Sequence, residues 1–268
     1  MSAKRLLKSI VRGVGMERRH VAPARLLCER YALATFGAKH PRAGGRILAY
    51  HSVGQPAWGV NDVSPQNFKR HLDLALKLGY RFVPASQIAM TGGEARDLAI
   101  TFDDGASSVA TTAAPLLRDY GIPFTFFPVT DWTDGRNAYF ADKVMTWEQM
   151  AGLVEAGAEI GSHSVSHSDF GAIAPELYEH ELEESRRLIQ ARVGRTPDTF
   201  AIPLGQARHW TAAADQVARR AGYAIIYSQS ERTRPPGTTA RTFVTQFDAD
   251  YIFRVLLRGA YDWWDEWF

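Results

Sequence analysis

Cysteine is almost missing from this sequence. Cys28 is the only one in 268 residues, which excludes an intrachain disulfide and a cysteine-based zinc site. Long apolar runs are missing as well. None approaches the roughly 20 residues needed to span a bilayer. The opening MSAKRLLKSIVRGVGMERRH is broken throughout by basic side chains, so no export signal is expected and a cytoplasmic location is. There is no internal repeat, low-complexity stretch or Pro/Gly-rich linker, which argues for one catalytic domain. Histidine stops at residue 209, an absence that bears on proton donation below.

Net charge is small, +2, but unevenly placed. Residues 1–46 hold eleven Lys/Arg against Glu17 and Glu29, a balance of +9, which leaves −7 for the rest. A basic extension on an acidic body points to an anionic partner for the extension, such as an anionic membrane or a lipid-linked sugar, and away from nucleic acid. Leu6, Leu7, Ile10, Val11 and Val14 fall at helical spacing beside Lys4, Arg5, Lys8 and Arg12, a pattern for a helix lying on a surface or packed on the domain. Residues 1–45 are therefore expected as a basic helical extension and 46–268 as the catalytic domain.

From residue 46 short apolar runs alternate with helical patterns. RILAYHS (46–52), YRFVPA (80–85), LAITFDD (98–104), FTFFPVT (124–130), AEIGSH (158–163), TFAIPLG (199–205) and YAIIYS (223–228) read as parallel strands covered on both faces, with RTFVTQF (241–247) weaker. Helices are expected between them. Ser64-Pro65 starts one, and TWEQ at 146–149 reads as a capping box. Such β–α units without a break predict an α/β fold, and polar residues at the C-terminal ends of several strands favour a barrel mouth over an open sheet.

Two adjacent acids, Asp103 and Asp104, end the third of these runs. Their mutual repulsion is costly unless a cation offsets it. GSHSVSH supplies His163 and His167 at the end of another strand, with a spacing that would place both imidazoles on one side of a helical turn. One carboxylate and two histidines leave coordination positions open, as a catalytic metal site requires.

TFDDG followed by HSVSH resembles the first two motifs of the polysaccharide deacetylases, the NodB-homology or carbohydrate esterase family 4 proteins. The resemblance extends through YHSV, VSPQNFKRHLDLALKLGY, ASSVATTAAPLLRDYGIPFTFFPVT and FAIPLG, and covers roughly residues 46–260. It implies a distorted (β/α)7 barrel and a metal-dependent hydrolase that removes N-acetyl or similar acyl groups from an aminosugar polysaccharide, oligosaccharide or glycoconjugate. It also implies a divalent metal, usually zinc, with Co2+, Ni2+ or Fe2+ as substitutes, held by Asp104, His163 and His167. Asp103 matches the base that takes a proton from water, and the backbone N–H of Leu204 matches an oxyanion donor.

The sequence departs from that pattern twice. The third motif normally begins with an arginine that orients the base, and Ala201 stands there; Arg241 and Arg208 are candidates to replace it. The usual late histidine that protonates the leaving amine is absent. His51, ending the first predicted strand, would neighbour the last strand in a closed barrel and could donate that proton, as the YHSV motif of some biofilm-polysaccharide deacetylases suggests.

Other readings compete. A deformylase or deacetylase of a lipid-linked aminosugar uses the same residues. A ferrous oxygenase also takes two histidines and a carboxylate, but the β/α alternation argues against it. A glycan-binding accessory without activity would explain the two departures. His20, His40, His71, His180 and His209 lack partners at ligand spacing and read as surface residues. Trp132 or Tyr139 could stack on a sugar, and the tryptophan-rich ending YDWWDEWF is expected to pack on the domain.

Overall fold

The computed structural model describes residues 18–37, 43–229, 231 and 234–262. The amphipathic pattern at Leu6–Val14, His40 and the tryptophans beyond Asp262 lie outside the described residues.

The helices are α1 (Arg18–Phe36), α2 (Pro65–Lys77), α3 (Ala85–Thr91), α4 (Ala114–Asp119), α5 (Thr130–Thr133), α6 (Trp147–Glu155), α7 (Ser185–Val193), α8 (Ala212–Ala221) and α9 (Asp250–Leu257). The strands are β1 (Arg46–Tyr50), β2 (Ser52–Val53), β3 (Asp62–Val63), β4 (Arg81–Phe82), β5 (Asp97–Phe102), β6 (Phe124–Phe126), β7 (Glu159–Ile160), β8 (Thr199–Ala201), β9 (Ile225–Ser228), β10 (Thr239–Ala240) and β11 (Thr242–Phe243).

Every residue of β1 and of β5 is buried, as continuous apolar runs require when both faces are covered. The two pair in parallel register, Leu48 with Ile100 and Tyr50 with Phe102. From β5 the ladder passes to β6 and β7. A parallel bridge between Ser162 and Phe200 carries it to β8, and β8 pairs with β9, then β10. The ring closes where β11 pairs with β1. The outcome is a closed parallel barrel of seven positions (β1, β5, β6, β7, β8, β9 and β10/β11), in agreement with the expected distorted (β/α)7 fold.

The last position is divided. β10 faces β9 and β11 faces β1, and the residue between them is Arg241, whose N–H still donates to the Ser228 carbonyl at 2.9 Å. A strand too short to pair with both neighbours along one length closes the barrel by switching partners at this residue.

Helix starts follow the sequence signals. Ser64 caps α2, its hydroxyl accepting from Asn67 N–H, and Pro65 occupies the first turn. Thr146 and Gln149 form both halves of the capping box on α6, a device worth about 1 kcal/mol. The stretch 175–193, between two of the expected strands, is more irregular than a single helix. A single turn at Pro175–Leu177 precedes a wide π turn at His180–Glu184, which runs into α7. π turns inside helices often mark functional sites, and this one swings Glu181 inward.

The main core packs aromatic rings over the β1–β5–β6 wall. Tyr50 meets Phe68 edge-on at 5.2 Å, and Phe102 meets Phe124 at 5.9 Å. Helix α1 is tied to this body by Arg30, which is fully buried and forms a two-pronged ion pair with Asp248. Tyr261 lies over the same guanidinium and donates to the Arg30 carbonyl. No described helix is long and apolar enough to cross a membrane.

Candidate metal centre

The site residues stand where strands of the barrel end. His51 follows β1, Asp103 and Asp104 follow β5, His163 lies beyond β7, and Leu204 follows β8. Among the described residues, four other than glycine have positive φ, namely Asp104 (68°), Ser164 (70°), His167 (64°) and Leu204 (63°). All four belong to or adjoin the predicted site. Such backbone costs of order 1–3 kcal/mol per residue and persists only where surrounding contacts enforce it.

At Asp103 the chain is still extended enough for its N–H to donate to the Tyr50 carbonyl of β1 at 2.9 Å. At Asp104 it reverses into left-handed backbone, and Gly105 (φ 75°) continues the turn. This reversal lets two neighbouring acids serve one pocket with different environments. A Cβ on Gly105 would also press on Pro128 at 3.2 Å.

Asp103 is fully buried and clamped by Arg241, with Nη1 on Oδ1 at 2.6 Å and Nη2 on Oδ2 at 2.8 Å. Arg241 also donates to Thr101 Oγ1 at 3.1 Å, and its guanidinium lies 5.3 Å and 5.7 Å from the Phe127 and Tyr227 ring centroids. The arginine absent at Ala201 is thus supplied from the last strand. Arg208, the other candidate, turns instead to His209, donating to its Nε2 at 2.9 Å. Burial pushes the Asp103 carboxyl up, but Arg241, with His163 and His51, outweighs it and holds the group at about 2.

Asp104 has no such counterion. Its Oδ2 accepts the indole N–H of Trp58 at 2.8 Å. Its Oδ1 is buried without a hydrogen bond and lies 3.6 Å from Nε2 of both His163 and His167. His163 Nδ1 sits 2.8 Å from the Ala201 carbonyl. A carbonyl only accepts, so Nδ1 carries the proton and Nε2 presents a lone pair. Burial pushes His163 down to about 4, which keeps it neutral.

One anionic oxygen without a partner and two imidazole nitrogens, all within 4.8 Å of one another, form a donor set that fits a divalent cation of the zinc type.

The two histidines are not brought together by a helical turn, as their spacing suggested. Residues 163–168 form a loop with left-handed backbone at Ser164 and His167. Serines and a buried glutamate shape it. His167 N–H donates to Ser164 Oγ at 2.9 Å. Glu181 Oε2 accepts from the N–H groups of Val165 and Ser166 at 3.0 Å each, while Oε1 accepts from the hydroxyls of Ser166 and Ser168. One carboxylate therefore satisfies donors that a helix would have satisfied internally.

His51 is 7% exposed, its Nδ1 takes no hydrogen bond, and Phe243 of β11 meets its ring edge-on at 5.5 Å. It stands on the strand between those of Asp103 and Arg241, as the closed-barrel argument expected. Leu204 is exposed, so its left-handed backbone rather than its side chain faces the requirements of the site.

His71 and His209 are buried, contrary to their reading as surface residues, while His180 is exposed. His71 is held between the Tyr50 hydroxyl and the Asp248 carbonyl, partners invisible at short sequence spacing. Trp132 is buried against Phe140, and Tyr139 is 58% exposed at the rim. Trp58 and Glu181 escaped the sequence reading altogether. Neither carries a local signal, because each acts on a residue more than ten positions away.

The family model described as polysaccharide deacetylase matches residues 91–226. The chain is 24% identical over 200 residues to YxkH of Bacillus subtilis (strain 168), a protein named for polysaccharide deacetylation, covering 73% of this chain and 66% of that one. It is 25% identical over 151 residues to the chitooligosaccharide deacetylase of Bradyrhizobium sp. (strain ANU 289), covering 54% and 63%. The chain thus spans just under two thirds of these curated relatives. Among solved structures, IcaB from Ammonifex degensii superposes with a TM-score of 0.68 at 22% identity. Streptococcus pyogenes deacetylase PplD, solved with acetate, gives 0.67 at 20%. Each comparison covers 82% of this chain and 99% of the other, and at these identities it speaks for the fold.

Proposed function

This chain belongs to the polysaccharide deacetylase family, and from that premise we propose that it hydrolyses the N-acyl amide of an aminosugar in a polysaccharide, oligosaccharide or glycoconjugate. Asp104, His163 and His167 would hold the divalent cation, zinc being the best match to the donors. When bound, the cation supplies Lewis acidity toward the acyl oxygen and acidifies water at neutral pH.

The remaining steps fall to the chain. Asp103, kept ionised by Arg241, takes the proton of the attacking water. Its bidentate clamp also keeps both of its oxygens from competing with Asp104 for the ion. The Leu204 N–H, presented by left-handed backbone, donates to the oxyanion of the tetrahedral adduct. His51 then gives a proton to the departing amine as the C–N bond breaks, so the products are a free acid and an aminosugar.

The observation that carries this reading is the contrast between two adjacent acids, one fully paired with a guanidinium and one with an oxygen left for an ion. Retention of both acids and both histidines favours catalysis over a binding-only accessory. The charge balance of +9 over residues 1–46 favours a phosphorylated, lipid-linked presentation of the sugar as a second form of the substrate.

The test is release of acetate, with formate measured in parallel, from N-acylated glucosamine oligomers. The protein is assayed as purified, after chelation and after zinc add-back. Release that chelation abolishes and zinc restores is expected. No release from free or lipid-linked N-acyl aminosugars would overturn the hydrolase reading.

A further inference from the structure

We propose that Trp58 is a positioning residue for the cation-binding carboxylate, its indole N–H confining Asp104 to one metal-directed oxygen. The proposal rests on the metal-dependent reading above, and it concerns how the ligand is aimed. Trp58 is 8% exposed and donates from Nε1 to Asp104 Oδ2 at 2.8 Å. The other oxygen, Oδ1, is the one near both imidazoles. A carboxylate with both oxygens free could rotate about its last torsion and offer either one or both. With Oδ2 committed to the indole, rotation breaks a hydrogen bond in a buried place, where an unmade bond is expensive.

The type of donor matters. Asp103 is paired with a cation, which offsets its charge and fixes both oxygens while leaving each a lone pair for a proton. Asp104 receives a neutral N–H, which orients the group but leaves its charge for the ion. The two adjacent acids are thus sorted into base and ligand by the donors that reach them, a guanidinium from between β10 and β11 and an indole from the segment between β2 and β3.

Trp58 is itself fixed. Its ring lies 5.5 Å from Phe140, which stacks on Trp132 at 3.8 Å and 11°, and Trp132 lies 5.4 Å from the ring of His167. One aromatic wall therefore backs two of the three ligands. The loop that delivers Trp58 is pinned by Gln55, whose side chain accepts from Ser108 N–H at 3.1 Å and donates to the Lys143 carbonyl at 2.7 Å. Gly59, at φ 57° and ψ −124°, supplies a bend closed to other residues.

Trp58→Phe keeps an aromatic ring against Phe140 and removes the N–H. Zn2+ affinity is measured by competition with a chromogenic chelator, beside a urea midpoint of the metal-free protein. The expected result is about a tenfold weaker Zn2+ affinity, as loss of an outer hydrogen bond to a ligand typically gives, with any fall in the metal-free midpoint seen only while Asp104 is present and not when W58F is made in an Asp104→Ala background. In wild-type protein labelled with [15N]tryptophan, the indole resonance missing from W58F should move when Zn2+ is added, and stay still in Asp104→Ala. Equal Zn2+ affinity in wild type and W58F overturns the proposal, as does a metal-free midpoint lowered equally by W58F in the Asp104→Ala background, which would assign Trp58 to packing. Should W58F not fold, Trp58→Leu, which also lacks a donor, takes its place under the same criteria. A wild-type protein that binds no Zn2+ overturns the metal reading itself, an outcome separate from the two above.

Discussion

Two regions divide the site between them. Residues 91–226, the stretch matched by the family model, hold the proposed base Asp103, the Asp104, His163 and His167 group that could hold a metal ion, and Leu204. The flanking segments hold His51 and Trp58 on one side and Arg241 on the other; Trp58 and Arg241 hydrogen-bond to acids of the matched stretch, and His51 follows Tyr50, whose carbonyl accepts from Asp103 N–H. In the proposed mechanism the central region holds the metal-binding and base groups, while the flanks hold the groups proposed to set charge, direction and proton supply, and closure of the barrel is what brings them to the centre. A family pattern can keep its core while the supporting parts change strand, because the barrel mouth accepts a side chain from whichever strand end is near.

If this division is right, Asp103→Asn in the central region gives the largest effect. Turnover should fall by at least a hundredfold, the usual scale for a lost general base, while Zn2+ binding by chelator competition survives. From the flank, His51→Ala should cost a comparable or smaller factor in kcat, with the deficit shrinking for substrates whose leaving group needs no proton, such as acyl phenols; a uniform deficit would remove His51 as the acid.

Arg241→Met keeps bulk but leaves Asp103 buried without its cation. Breaking one partner of such a pair costs about 3–5 kcal/mol, read as a lowered urea midpoint together with lost activity. Glu181→Gln should be milder. It keeps the shape of the histidine loop but weakens hydrogen bonds that a charge had strengthened, so about 1–3 kcal/mol and a looser Zn2+ site are expected.

The smallest effect is a pH dependence far from the ion. Burial lowers the pKa of His71, which sits neutral between Tyr50 and the Asp248 carbonyl. The unfolded chain takes up that proton first, at an ordinary histidine pKa of about 6.5. The contribution of His71 is therefore complete above that value and is lost as pH falls below it. The urea midpoint should drop between pH 7 and 5, less steeply in His71→Asn.

How much of this was legible in the sequence depended on the range of the interaction. The strands announced themselves through continuous apolar runs, and the caps at Ser64 and Thr146 through local chemistry. Asp104, His163 and His167 were legible because metal ligands must be of few residue types and cluster in short motifs. His51 was named from topology, since a closed barrel makes first and last strands neighbours, together with the resemblance of YHSV to a motif of biofilm-polysaccharide deacetylases. Arg241 could be named only as one of two arginines, because nothing local says which guanidinium reaches a site 138 positions earlier. The loop geometry of His163–His167 was misjudged as a helical turn, since the same spacing serves both, and the deciding residue, Glu181, lies on another element. Buried His71 was missed for the same reason.

The divided final strand has a consequence for how the molecule comes into being. On the ribosome the twin acids emerge long before Arg241, and a nascent barrel lacking its last stave would have to shelter an uncompensated anion at its heart. Residue 241 must be made before that anion finds its mate. The closing seam and the arming of the base are therefore one event, and a truncated product should be not a slow catalyst but an inert one.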